Sequence, residues 1–141
     1  MNKNNWTIKT IECGWKEYVK IDVIGLVKAK FDTGNGNACV IHADDWTEKD
    51  GLIIWKIGDF KLKNESFGLK DVRVGGLRDH IEKRPVIKLD ISFNGETFKQ
   101  IEFILADRSK RTPILINRLF IKKAGLSINP AKQYILSSED N

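Results

Sequence analysis

The feature that most constrains this chain is a two-residue hydrophobic period. Val19, Ile21 and Val23 alternate with Lys20 and Asp22, and Val27, Ala29 and Phe31 alternate with Lys28, Lys30 and Asp32. Successive side chains of a β-strand point to opposite faces, so each segment reads as a strand with one buried face. Ile87, Leu89, Ile91 and Phe93 repeat the pattern, Asn94–Gly95 offers a tight turn that tolerates positive φ, and Phe98, Ile101, Phe103 and Leu105 mark the return strand. Shorter strands are read at "LIIWKI" (52–57), Phe60/Leu62, Val72/Val74, "PILI" (113–116) and "QYILS" (133–137). "VGGLRDHIEKRP", rich in Gly and charge, reads as a loop or hairpin tip. Only "NRLFIKKAG" reads as helix, with Leu119 and Phe120 on its packed side and Gly125 placed to end it. About eight strands and one late helix predict an all-β barrel. The length of 141 residues suits a single domain spanning 1–141.

Composition removes several classes. Hydrophobic residues at 41% and charged residues at 30% are globular values. No apolar run approaches the roughly 20 residues of a membrane helix. "MNKNNWTIKTIECGW" lacks the apolar stretch of a secretory signal, which predicts a cytoplasmic protein. Cys13 and Cys39 then read as buried thiols. The net charge is +5, but 24 Lys and Arg are interleaved with 19 Asp and Glu. Only "RSKR" (108–111) and Lys122–Lys123 form basic clusters, which points to a solvated surface rather than a nucleic-acid site. Trp46 and Trp55 read as core aromatics, His80 as solvated, and Arg84 and the Asp107–Arg108 pair as structural ion pairs.

One loop stands apart from this pattern. Asp32 falls on the polar side of its strand, in phase with the lysines, so it need not be a buried structural acid and can face a cleft. Phe31-Asp32-Thr33-Gly34 follows an apolar strand, and Ile114-Leu115-Ile116 directly precedes the one helix. Along the chain stand "KAKFDTG" (28–34), "IHA" (41–43), "RPVI" (84–87), "LADRS" (105–109) and "PILINRLF" (113–120). This ordered set resembles the single-lobe retropepsin-like aspartic proteases. It is most similar to the bacterial and phage branch labelled ATP-dependent zinc protease, and the resemblance runs from about residue 15 to the C-terminus.

The resemblance implies a closed acid-protease barrel with one short C-terminal helix. It implies that Asp32, Thr33 and Gly34 form the catalytic loop. Aspartic proteases use two carboxylates sharing one proton. With one Asp-Thr-Gly per chain, the second carboxylate would come from another copy, which predicts a two-fold homodimer acting on a peptide or protein substrate. The 70–84 segment, with Gly75 and Gly76, would be the substrate-covering flap. Four residues depart from the pattern, Gly36 and Asn37 among them, which replace larger, basic and hydroxyl residues common in the branch. Asn35 replaces a small residue. Asn117 replaces a Gly, where its Cβ could displace the loop or its side chain could cap the following helix.

The ATP and zinc of the branch label find no motif. There is no G-x-x-x-x-G-K-[ST] and no H-E-x-x-H. Cys39 and His42, with Cys13 or His80, are the only sketch of a zinc set, so neither cofactor nor metal is predicted. Two other functions compete with the peptidase: a retropepsin-like scaffold without turnover that binds a protein partner, and, more weakly, a basic nucleic-acid-binding barrel.

Overall fold

Val19 and Ile21 are fully buried, and so are Ala29, Ile41, Ile87, Ile91, Phe103 and Leu105. The alternation therefore points where the sequence predicts, into one barrel interior. The computed structural model describes residues 9–73 and 80–139; the expected flap glycines, Gly75 and Gly76, lie outside the described residues. Eleven strands and one helix are found among the described residues.

Strands β1 (Ile11–Ile21) and β2 (Gly25–Phe31) form an antiparallel hairpin with Val19 opposite Val27. β2 then pairs in parallel with β10 (Ile114–Ile116), which lies antiparallel to β3 (Cys39–His42). β3 pairs in parallel with β9 (Glu96–Ala106), and β9 is antiparallel to β8 (Ile81–Phe93). The end of β8 returns to β1, with Ile21 opposite Ile91, and this contact closes the ring. Outside the ring, β7 (Leu69–Arg73) edges β8, and β11 (Leu126–Gln133) runs parallel to β1. A separate three-stranded sheet holds β4 (Asp45–Lys49), β5 (Leu52–Ile57) and β6 (Phe60–Glu65).

The Asn94–Gly95 turn forms as read, with φ of 52° and 79°. The return strand is not in strict period two, and the cause is a bulge. The β8–β9 register shifts between Leu89 and Ile91, where Gln100 takes φ 57° and its N–H reaches Asp90 Oδ1 at 2.9 Å. Helix α1 (Arg118–Lys123) also forms where read, and Gly125 follows its end at φ 67°, but its packed side is Phe120 and Ile121 while Leu119 is exposed.

Several expectations need correction. Residues 81–85, read as part of a loop or hairpin tip, are the start of β8 and pair with β7. Val23 is not a strand residue: it sits at the β1–β2 turn with φ 77° and 72% exposure. The alternation ends at Ile21, whose carbonyl accepts from Ile24 N–H to make the turn. Trp46 is not core, since its strand β4 is exposed along its whole length, whereas Trp55 is buried and donates to Asn64 Oδ1 at 2.7 Å. The terminal strand is not 133–137 but β11, and Tyr134 turns out of it with φ 53°.

The reason for this last shift is a buried acid. Glu17 is fully enclosed. Its carboxylate accepts Gly14 N–H at 2.7 Å, Ile135 N–H and Leu136 N–H at 3.1 Å, and the Ser137 hydroxyl at 2.7 Å. Backbone donors that a terminal strand would give to a neighbour go to this carboxylate instead. A Cβ at Gly14 would lie 2.8 Å from Glu17 Oε2 and 2.9 Å from the Lys132 carbonyl, so a side chain at 14 and the clasp exclude each other. Glu17→Gln keeps the shape but sets an amide NH₂ against buried donors. It is expected to cost about 3 kcal/mol in urea unfolding; a loss below roughly 0.5 kcal/mol would show that the clasp carries little.

Candidate active site

The site begins where β2 leaves the barrel. Phe31 is the last residue of β2 paired to β10, opposite Ile116, and Asp32 N–H extends the pairing by one bond to the Ile116 carbonyl at 2.9 Å. The chain then turns. Asp32 Oδ1 accepts Gly34 N–H at 2.9 Å, and the Asp32 carbonyl accepts Asn35 N–H at 3.2 Å. A carboxylate bonded to the amide two residues on is an Asx-turn. A Cβ on Gly34 would crowd the same Oδ1 at 3.3 Å, so this closeness suits glycine. Asp32, Thr33 and Gly34 are thus brought together in one loop, with Thr33 exposed and Asp32 half-buried.

Two of the departures from the family pattern, Asn35 and Asn117, brace this loop. Asn35 Nδ2 donates to the Ala38 carbonyl at 3.1 Å, its Oδ1 accepts Asn37 N–H at 2.9 Å, and its carbonyl accepts Arg118 N–H at 2.8 Å. Asn117 takes the capping role of its two alternatives. It is 5% exposed, with φ −87° and ψ 171°, and its Oδ1 accepts Phe120 N–H at 3.0 Å. The Cys39 thiol donates to the same Oδ1, and Asn117 N–H points back at the sulfur, each at 3.4 Å.

Cys39 and His42 do not suit zinc. Residues three apart on a strand face opposite ways. Cys39 is buried with Ile41, while His42 turns to the other face. Burial, partly offset by the Asn117 amide, pushes the Cys39 thiol up to about 12, so it is not a ready thiolate ligand. Both His42 nitrogens are already engaged, Nδ1 by Arg108 N–H and Nε2 by Asp44 Oδ1, each at 2.8 Å. Among the described residues no group of three or more His, Cys, Asp or Glu is arranged to hold a metal.

Asp32 opens on a groove of about 400 Å³ shared with Trp15, Lys16, Lys30, Arg108 and Arg111. Through Arg108, Arg111 and Leu115 it continues into a cleft of about 490 Å³, where Arg73 and Arg84 join the lining. Cations therefore dominate the walls. Burial and the nearby Arg111 lower the Arg108 pKa, and the Asp32 carboxylate opposes that shift. Arg84 pairs with Glu82 at 2.6 Å, the ion pair expected of it, yet its buried Nε has no hydrogen-bond partner among the described residues. Asp107 and Arg108 are no ion pair. Asp107 Oδ1 accepts Ser109 N–H at 3.0 Å, and Arg108 Nε donates to the Thr112 carbonyl at 2.7 Å. The Ser109 amide, then its hydroxyl, hold the Asp107 carboxyl below the usual range. The sequence reading missed this basic groove. Lys30, two residues before Asp32 on one strand face, was the available signal; Arg73 and Arg111 come together only in three dimensions.

A sequence model described as "RimB-like: Retropepsin-like aspartic endopeptidase RimB" matches residues 12–139. The chain belongs to this family. The matched span contains the Asp-Thr-Gly loop, β10 and the cationic groove of this RimB-like chain. A crystal structure of a Legionella pneumophila protein of unknown function is similar, with 26% identity and a TM-score of 0.70 over 92% of this chain and 100% of that one. No curated protein matches significantly.

Burial likewise pushes the Cys13 thiol up to about 12, with the Glu17 carboxylate adding to it. Iodoacetamide at pH 8 is therefore expected to leave both thiols unmodified over an hour in the native protein and to alkylate both in urea. Rapid native labelling of Cys39 would mean that the floor under the Asp32 loop opens readily.

Proposed function

We propose that the protein is an aspartic endopeptidase that works as a two-fold homodimer on acidic segments of peptides or proteins. The observation that carries this reading is the Asp32 carboxylate, held by its Asx-turn in the lining of a groove in a retropepsin-like barrel. Family membership supports the peptidase reading. The dimer is inferred from chemistry: one chain supplies one such carboxylate, and hydrolysis of this type needs two.

In the dimer Asp32 and the partner subunit's Asp32 would face each other across the axis with a water between them. Two close carboxylates cannot both ionise cheaply, so the pair keeps one proton. The ionised member takes a proton from the water, whose oxygen attacks the scissile carbonyl carbon. The protonated member gives its proton to the carbonyl oxygen, forming a neutral tetrahedral diol. Transfer of a proton to the amide nitrogen then breaks the C–N bond, releasing an acid and an amine. Thr33, exposed on the same loop, is suited to bond across to the partner loop.

Substrate preference follows from the walls. Arg73, Arg84, Arg108 and Arg111 offer fork-shaped donors that match carboxylates, and Lys16 and Lys30 add charge beside Asp32. No step passes through zinc or ATP, since the residues suggested for zinc do not fit it. The scaffold reading without turnover rested on Asn35 and Asn117, and both instead tie the loop down, which favours a competent site.

Cleavage of acidic peptides across pH 4–8 tests the reading. A bell-shaped profile is expected, insensitive to chelator, and Asp32→Asn should lower the rate about a hundredfold or more. Unchanged cleavage by folded Asp32→Asn would sink the mechanism. Specific activity is also expected to fall on dilution as sedimentation shows dimers dissociating; full activity from a monomer would rule out the shared site. KM for acidic peptides should rise with salt, as exposed charge contacts are screened.

A further inference from the structure

We propose that His42 is a positioning residue that holds the loop 107–112, and with it Arg108 and Arg111, in the groove beside Asp32. The proposal rests on reading that groove as a site for acidic peptides. His42 lines neither groove cavity, so its effect passes through the loop.

The geometry at the ring is specific. Nδ1 accepts the Arg108 backbone N–H at 2.8 Å, so that nitrogen carries a lone pair and not a proton. The proton is assigned to Nε2, which then donates to Asp44 Oδ1 at 2.8 Å. Asp44 is fixed in turn: its Oδ2 accepts Gly58 N–H at 2.8 Å, and its own N–H donates to the Lys56 carbonyl at 2.7 Å. The His42 bond, followed by that of Gly58, holds the Asp44 carboxyl below its usual range. Thus the ring joins the three-stranded sheet on one side to the loop on the other.

Among the described residues, His42 supplies two outside anchors of the loop, and Ala43 N–H adds a third at the Ala106 carbonyl, 2.9 Å away, just before its start. The ring takes the Arg108 amide near its start, and the His42 backbone N–H donates to the Pro113 carbonyl at 2.8 Å just beyond its end. Between them Arg111 N–H donates to the Arg108 carbonyl at 2.8 Å and Arg108 Nε donates to the Thr112 carbonyl at 2.7 Å. Asp107 Oδ1, at 3.8 Å from Nδ1, is too far to replace the Arg108 amide as its partner. Without an acceptor at Nδ1, the Arg108 N–H loses its partner and the first anchor goes, while the Asp32 turn, held by β10, keeps its own bonds. The effect should therefore fall on binding of acidic peptides (KM) and spare kcat.

Two substitutions separate the ends of the ring. In His42→Asn the side-chain oxygen stands near the Nδ1 position and can still accept the Arg108 amide. In His42→Gln the amide reaches toward Asp44 but abandons Arg108. Binding would be measured calorimetrically in an Asp32→Asn background with an acidic peptide and a neutral one of equal length. His42→Gln is expected to weaken the acidic peptide about tenfold and leave the neutral one unchanged, and His42→Asn to restore most of the loss. Equal losses in both variants, no loss in His42→Gln, or no preference of the parent for the acidic peptide would each overturn the proposal. Nitrogen NMR of the unsubstituted protein gives a readout independent of variant folding: a proton on Nδ1 would also overturn it. The peptidase reading fails separately, if the protein with Asp32 intact cleaves nothing while the binding differences stand.

Discussion

The hydrogen bond from Asp32 N–H to the Ile116 carbonyl is the point on which the site depends. It is one bond beyond the β2–β10 pairing, and it fixes where the chain stops being a strand. An isolated Asx-turn is a weak local structure. Here it starts from a parallel pair buried inside a closed barrel, so the carboxylate inherits the rigidity of the core. Beneath it, Asn117 ties β10 to α1 and Cys39 ties β3 to Asn117, so that the loop, the helix and two strands share one small buried polar cluster.

That cluster explains how a family position can change without loss of the architecture. A side chain at 117 brings a Cβ but also an oxygen, and the oxygen takes over a helix N–H that would otherwise lack a partner. Asn35 does the same for the descending arm of the loop. Both residues trade close packing for hydrogen bonds, and the trade succeeds because each amide finds donors and acceptors within its reach.

Much of the barrel was legible in the chain, because period two is a direct consequence of strand geometry. Val19, Ile21, Ala29 and Phe31 face inward as the alternation requires. The Asp-Thr-Gly loop was legible through its neighbours in sequence. What escaped had a non-local cause. Ile135 and Leu136 look like strand residues, but their amides are claimed by Glu17, far away in sequence. Val23 continues the alternation on paper, yet the chain must turn there. The cationic groove escaped as well, since Lys16, Lys30, Arg73, Arg84 and Arg111 are scattered along the chain and converge only when the ring closes.

The ring also dictates an order of events during synthesis. β2 finishes at Phe31, but β10, the strand that supports it, begins at Ile114, and β11 pairs with β1 only after Leu126. Contacts between such distant segments make folding slow and late. A growing chain therefore carries its Asp-Thr-Gly long before it owns an Asp32 loop. If the loop is a peptidase centre, the nascent chain is inert beside every other polypeptide leaving the ribosome, and competence arrives only with its last strands.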